Sequence, residues 1–286
     1  MNDVPSAPGE PARRGNPVLH QAKAWIVCGR RLVLEQNSLW YGMAAVYIVL
    51  GFLLTLIPFM GHLLLILITP MLLASVIWGR AQEPHGPPAP ATVQPVSAQA
   101  LLQTWIAQPA QELMRIFTQE DKIFGAVLLG IITLGLVMTV KIAGYLLIGG
   151  SMISGLTAGP AGGFQITMLL GMVLVVALSV LLAMGLFYCV PLTVLGNRRP
   201  LDAVTESFIT CRQNARTLLP LVLPFFLVYL VIVAAFARSD WLGILLLISV
   251  GLLTLPLFVA SVYCSYLTLF PPEFPDPPAE ISSPRE

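Results

Sequence analysis

The stretch GAVLLGIITLGLVMTVKIAGYLL, Gly125 to Leu147, contains a single charged side chain, Lys141. At about 1.5 Å of rise per residue, a helix over it reaches across a hydrocarbon core of about 30 Å. Such a helix is apolar on every side, so no face is left for water and lipid is its solvent. Further runs of the same kind occupy Ser38 to Met60, His62 to Gly79, Ile166 to Val190, Leu218 to Ala237 and Leu242 to Tyr266. Of 286 residues, 57% are hydrophobic and 10% charged, and the mean hydropathy is +0.84. A soluble domain of this size cannot hide that much apolar surface. The expected fold class is all-α, a polytopic transmembrane helical bundle of six spans spread over residues 18–270.

The spans fall into three pairs. Only Pro58-Phe59-Met60-Gly61-His62 joins the first pair and only Arg238-Ser239-Asp240 the last, so each pair is expected to be an antiparallel hairpin. A one-sided helical pattern precedes each hairpin and predicts an amphipathic helix in the membrane interface. In the first, Val18, Leu19, Ala22, Trp25, Ile26, Leu32 and Val33 share a face, with Lys23, Arg30, Arg31 and Glu35 opposite. In the second, Leu101, Leu102, Trp105, Ile106, Leu113, Ile116 and Phe117 do so, with Pro109 as a break. The third starts at Pro200, a residue suited to a first helical turn, and aligns Leu201, Val204, Phe208, Cys211 and Ala215. The chain thus reads as a threefold repeat of interfacial helix, span, turn and span.

Lys and Arg near span ends resist translocation, so their distribution orients the chain. Arg13, Arg14, Lys23, Arg30 and Arg31 precede the first span; Arg80, Arg115 and Lys122 lie between the second and third; Arg198, Arg199, Arg212 and Arg216 lie between the fourth and fifth; Arg285 is in the tail. Arg238 alone falls on the other side. The expectation from charge is that both termini are cytoplasmic. On that topology Cys28, Cys189, Cys211 and Cys264 all lie at or near the reducing side, and no CxxC pair occurs, so no disulfide is expected. The first apolar run begins too far from the N-terminus for a cleavable signal. Pro-rich, apolar-poor segments at residues 1–17, Gln82 to Gln94 and 271–286 predict disordered tails and a linker. The charge-free, Gly-rich connection from Gly149 to Phe164 predicts a flexible external turn.

Two blocks carry a family resemblance: Trp25 through Arg31 with LTLIPFMGHLLLILITPMLLASVIWGR, Leu54 to Arg80, and VPLTVLGNRRPLDAVTESFITCRQNARTLLPL, Val190 to Leu221. Together they resemble an uncharacterised proteobacterial family of six-span inner-membrane proteins. In layout the chain is similar to the membrane domain of some glycerophosphodiester phosphodiesterases, without the phosphodiesterase domain. The resemblance spans roughly residues 20–270 and implies the fold; it implies no functional residues.

The side chains point away from enzymatic chemistry. His20, His62 and His85 are scattered, and no HExxH, GxSxG or paired-carboxylate pattern occurs. No catalytic, cofactor or metal residue is expected, and a net charge of +1 implies no nucleic-acid partner. No span contains Asp or Glu, which weighs against an ion-coupled transporter. Lys141 is the one ion inside a span; its stem can reach the interface, and otherwise it is a candidate for an anionic head group. Pro70, Pro220, Pro224 and Pro256 are read as kinks in packing, and Gly125, Gly130, Gly135 and Gly144 as points of close helix approach. The expected activity is non-enzymatic interaction with membrane lipid or other membrane proteins through Arg30, Arg31, Arg198, Arg199, Arg212 and Arg216. The same arginines also serve simple orientation. The alternative is a permease or exporter for a lipid-like or apolar substrate, which requires a polar mid-membrane cavity reaching Lys141. Oligomeric state is not encoded in any of these patterns.

Overall fold

The computed structural model describes residues 17–58, 60–82, 120–158 and 163–271. Among them the chain is wholly helical. In order the elements are α1 (Pro17–Glu35), α2 (Asn37–Thr55), α3 (Met60–Gln82), α4 (Glu120–Ala158), α5 (Gly163–Leu186), α6 (Cys189–Val194), α7 (Pro200–Gln213), α8 (Ala215–Arg238), α9 (Asp240–Leu246), a π-turn (Leu247–Gly251) and α10 (Leu252–Leu269). Six helical stretches are long and apolar enough to cross a membrane: 37–54, 60–79, 122–147, 169–194, 215–238 and 240–269. The second amphipathic pattern, residues 101–117, the linker at 83–94 and the tails at 1–16 and 272–286 lie outside the described residues, while Pro17, expected in the first tail, opens α1.

Neighbours along the chain pack on one another: α2 on α3, α4 on α5, and α8 on α9. Gly61 is needed at the first corner, because a Cβ there would overlap the Leu54 carbonyl. Among the described residues the most extensive contact joins the first and last helices, with α1 lying along α10 and also touching α8. Ala22, Trp25 and Val33 of α1 are buried there. A Cβ on Gly29 would stand 2.6–2.9 Å from Ser261 atoms, backbone included. Only a residue without a side chain lets these helices come so close.

The core sits at one end of the bundle. Its three clusters draw on the start of α2 (Trp40, Met43), the end of α3 (Ala74, Ile77), the start of α4 (Ala126, Leu129), the α5–α6 junction (Tyr188, Cys189), the start of α8 (Leu218, Leu221) and the end of α10 (Ala260, Tyr263, Tyr266). Toward the opposite end, large apolar side chains such as Leu170, Val173, Phe226 and Val231 are exposed. Only 11% to 33% of the residues in the six stretches are buried. Apolar side chains bare over most of their length are stable in lipid and not in water.

Several expectations need correction. The Gly149 to Phe164 connection is not a turn over most of its length: α4 continues to Ala158 and α5 starts at Gly163. Glycine lowers helix propensity by only about 1 kcal/mol per residue and does not by itself end a helix. Thirty-nine residues make α4 about 58 Å long, well beyond a hydrocarbon core. A disulfide is present, between Cys28 of α1 and Cys264 of α10, with Cα atoms 6.2 Å apart. A separation of 236 residues leaves no local spacing signal, and the pair meets only because Gly29 lets α1 settle on α10. In α7 the buried stripe is Ala203, Ser207 and Cys211, while Leu201 of the expected apolar face is 66% exposed. Small residues win the protein-facing side there because α7 lies close against α5 and α6.

Candidate functional site

The buried end of the bundle is built on one aromatic side chain. Tyr188 is fully buried, its hydroxyl 2.9 Å from Ser265 Oγ, and its backbone N–H donates to Ser207 Oγ at 2.9 Å. Ser207 in turn donates to the Met184 carbonyl at 2.9 Å. These bonds satisfy polar groups where α5 gives way to α6, and so tie α7 and α10 to the same point. Phe187 and Phe270 meet the Tyr188 ring edge-on at 4.8 and 5.7 Å between centroids. Trp25 Nε1 of α1 donates to Thr268 Oγ1 of α10 at 3.2 Å. Burial pushes the Cys211 thiol of α7 up to about 11, with a hydrogen bond to Ser207 acting in the other direction.

Around this core the arginines point outward. Arg30 and Arg31 are exposed on α1, where Arg31 Nε bonds Glu35 Oε1 at 2.9 Å. Arg198 and Arg199 are exposed on the loop into α7, with Arg198 Nε 3.5 Å from Glu206 Oε2. Arg212 is exposed in the last turn of α7, and Arg216 in the first turn of α8. The elements bearing all six share one core cluster, which contains Ala22 and Trp25 of α1, Ala203 and Cys211 of α7, and Leu218 of α8. Exposed ion pairs such as Arg31–Glu35 add about 0.5 kcal/mol and leave the guanidinium free for other acceptors.

Leu19, Val27 and Leu34 are 56–60% exposed on α1, and with Lys23 and Arg30 they share the helix face turned away from α10. Val27, Arg30, Arg31, Leu34 and Glu35 line a shallow surface groove. This alternation of aliphatic and cationic side chains differs from the buried face of Ala22, Trp25, Gly29 and Val33. One helix thus presents two faces, one closed on protein and one open. The sequence pattern places Leu19 with the closed face, where the structure has it exposed on the open one, and it puts Lys23 and Arg30 on the polar side.

Lys141 stands apart from this group. It is exposed on α4 beside Ile142 and Tyr145, which are 56% and 78% exposed. Nineteen positions separate it from Lys122, about 28 Å along the helix. A cleft of about 200 Å³ between α8 and the region of the π-turn is lined by Leu227, Val228, Val231, Ile232, Leu246 and Val250, all apolar. It does not include Lys141. Lys122 has a role that charge counting misses: Nζ donates to the Val194 carbonyl at 2.9 Å and to Asn197 Oδ1 at 3.1 Å, and lies 4.9 Å from the Trp78 ring centroid. It therefore closes the C-terminus of α6 and holds Asn197 in its left-handed conformation, φ 51°. Among the described residues no group of three His, Cys, Asp or Glu side chains is placed to hold a metal ion.

No protein-family model, curated protein or solved structure matches the chain.

Proposed function

We propose that this chain is a non-enzymatic, multi-pass protein of the bacterial inner membrane, with cytoplasmic termini, whose basic end binds anionic lipid head groups. Three hairpins and their amphipathic helices would present that end to the inner leaflet. The observation that carries the reading is the outward stripe of α1, where Lys23 and Arg30 alternate with exposed Leu19, Val27 and Leu34. An apolar and cationic stripe suits the boundary between acyl chains and negatively charged head groups, and water alone gives no reason for it. Arg31, Arg198, Arg199, Arg212 and Arg216 extend the charge around the same core, each contributing about 1 kcal/mol near an anionic surface.

The test is lipid retention. With Arg30, Arg31, Arg198, Arg199, Arg212 and Arg216 all replaced by Gln, phosphatidylglycerol co-purifying with the chain should fall at least about five-fold relative to phosphatidylethanolamine. Unchanged retention in a variant that still unfolds at the wild-type temperature would sink the proposal. Lys141→Met should leave retention unchanged, because that side chain is far from the basic end.

A further inference from the structure

The cysteines are not equivalent. Cys189 and Cys211 are free and buried. Cys264 is 3% exposed, covered where α1 lies on α10. Its partner Cys28 is exposed. On the α1 wheel Cys28 shares a stripe with Ala24, Arg31 and Glu35, all of them exposed. That flank is distinct both from the buried face and from the stripe of Leu19, Lys23, Val27, Arg30 and Leu34. The disulfide therefore joins a residue on the open side of α1, with a guanidinium one turn further on, to one shut beneath the helix.

We propose that the Cys28–Cys264 bond is a thiol-exchange site, in which Cys28 is the position attacked and modified by a small anionic thiol of the glutathione class. The sulfur attacked is decided by access, and access here is one-sided. A thiolate attacks Cys28 Sγ; the bond to Cys264 breaks, and Cys264 leaves with the electron pair and takes a proton. Cys28 then carries a mixed disulfide. A second thiolate attacks the outer sulfur of that adduct, releasing Cys28 as a thiol and departing as the small-molecule disulfide. The reverse sequence, with that disulfide as oxidant, closes the bond again. Trp25–Thr268 and the Gly29–Ser261 contact keep the two helices together while the bond is open, so Cys264 stays next to Cys28 as its resolving partner. Arg31 supplies positive charge for the carboxylates of the incoming thiol. This inference goes beyond the lipid-binding reading and does not depend on it.

The experiment uses the full chain in detergent, equilibrated in glutathione buffers from fully reduced to mostly oxidised, quenched in acid and denatured. Free thiols are then counted by maleimide mass shift, and adducts are located by peptide mapping. Wild type should lose two thiols together, reversibly, and these should map to Cys28 and Cys264. Under limiting glutathione disulfide, Cys264→Ser should gain an adduct at Cys28 at least about ten times more readily than Cys28→Ser gains one at Cys264. The proposal is overturned if wild type keeps four free thiols at the oxidising end, if the bond stays closed at the reducing end, or if the two single variants are modified equally. The first two readouts need no variant.

Discussion

Gly29 shows how much can rest on a missing side chain. Its neighbour across the helix contact is the backbone of Ser261 as well as the hydroxyl, so a larger residue cannot be accommodated by rotating a side chain away. Gly29→Val is expected to cost about 3 kcal/mol or more through forced separation of α1 and α10, seen as a lower unfolding temperature in detergent. Ala24→Val, on the exposed flank of the same helix, should leave that temperature unchanged within about 1 °C. Cys211 gives a second residue-scale expectation. A rise from the ordinary thiol value of 9.0 to about 11 reduces the thiolate fraction at pH 8 about a hundred-fold. Folding thus favours the neutral thiol, and its contribution is complete below about pH 9 and lost as pH rises toward 11. Alkylation of Cys211 by N-ethylmaleimide in the folded chain should be at least about a hundred times slower than in the denatured chain at that pH; equal rates would contradict its burial. Neither Gly29 nor Cys211 could be singled out from sequence, since what distinguishes each is a partner in another helix.

At the scale of the element, the apolar runs were legible because lipid requires uninterrupted hydrophobicity over a fixed length, a signal that needs no tertiary information. The limits of that signal show in three places. In α4 the glycines after Leu147 suggested a turn, yet the helix continues to Ala158. In the last apolar stretch a π-turn at Leu247–Gly251 separates α9 from α10, five residues before Pro256. Proline frees the carbonyl four residues earlier and crowds it, a disturbance the sequence marks without saying what shape results. In α6 the end of the helix depends on Lys122, far away in sequence, and that dependence can be tested. Lys122→Met keeps the stem but removes the donor to Val194 and Asn197. It should cost about 1–2 kcal/mol and make the 195–199 loop more susceptible to trypsin after Arg198, since Pro200 blocks cleavage after Arg199. If the digestion rate is unchanged, the lysine is only a charge.

For the whole molecule, the distribution of cations suggested a basic end but could not show that the arginine-bearing helices surround a common core. Position 28 and position 264 are joined across nearly the full described chain, so the first and last helices are held by a bond as well as by packing. In the chain-entropy picture a loop of that length is worth up to about 5 kcal/mol. In a membrane the gain is smaller, because inserted spans never explore the full unfolded ensemble. Reduction is still expected to lower the unfolding temperature by at least about 4 °C, an effect absent in Cys28→Ser. Identical melting of the oxidised and reduced protein would mean that packing alone holds α1.

The cross-link also changes what the chain is as an object. With residue 28 tied to residue 264, the polypeptide between them is a closed ring threaded back and forth through the bilayer. A single cut anywhere on the ring opens it without releasing a piece, so an oxidised molecule nicked between α3 and α4 remains one covalent body until a reductant divides it in two.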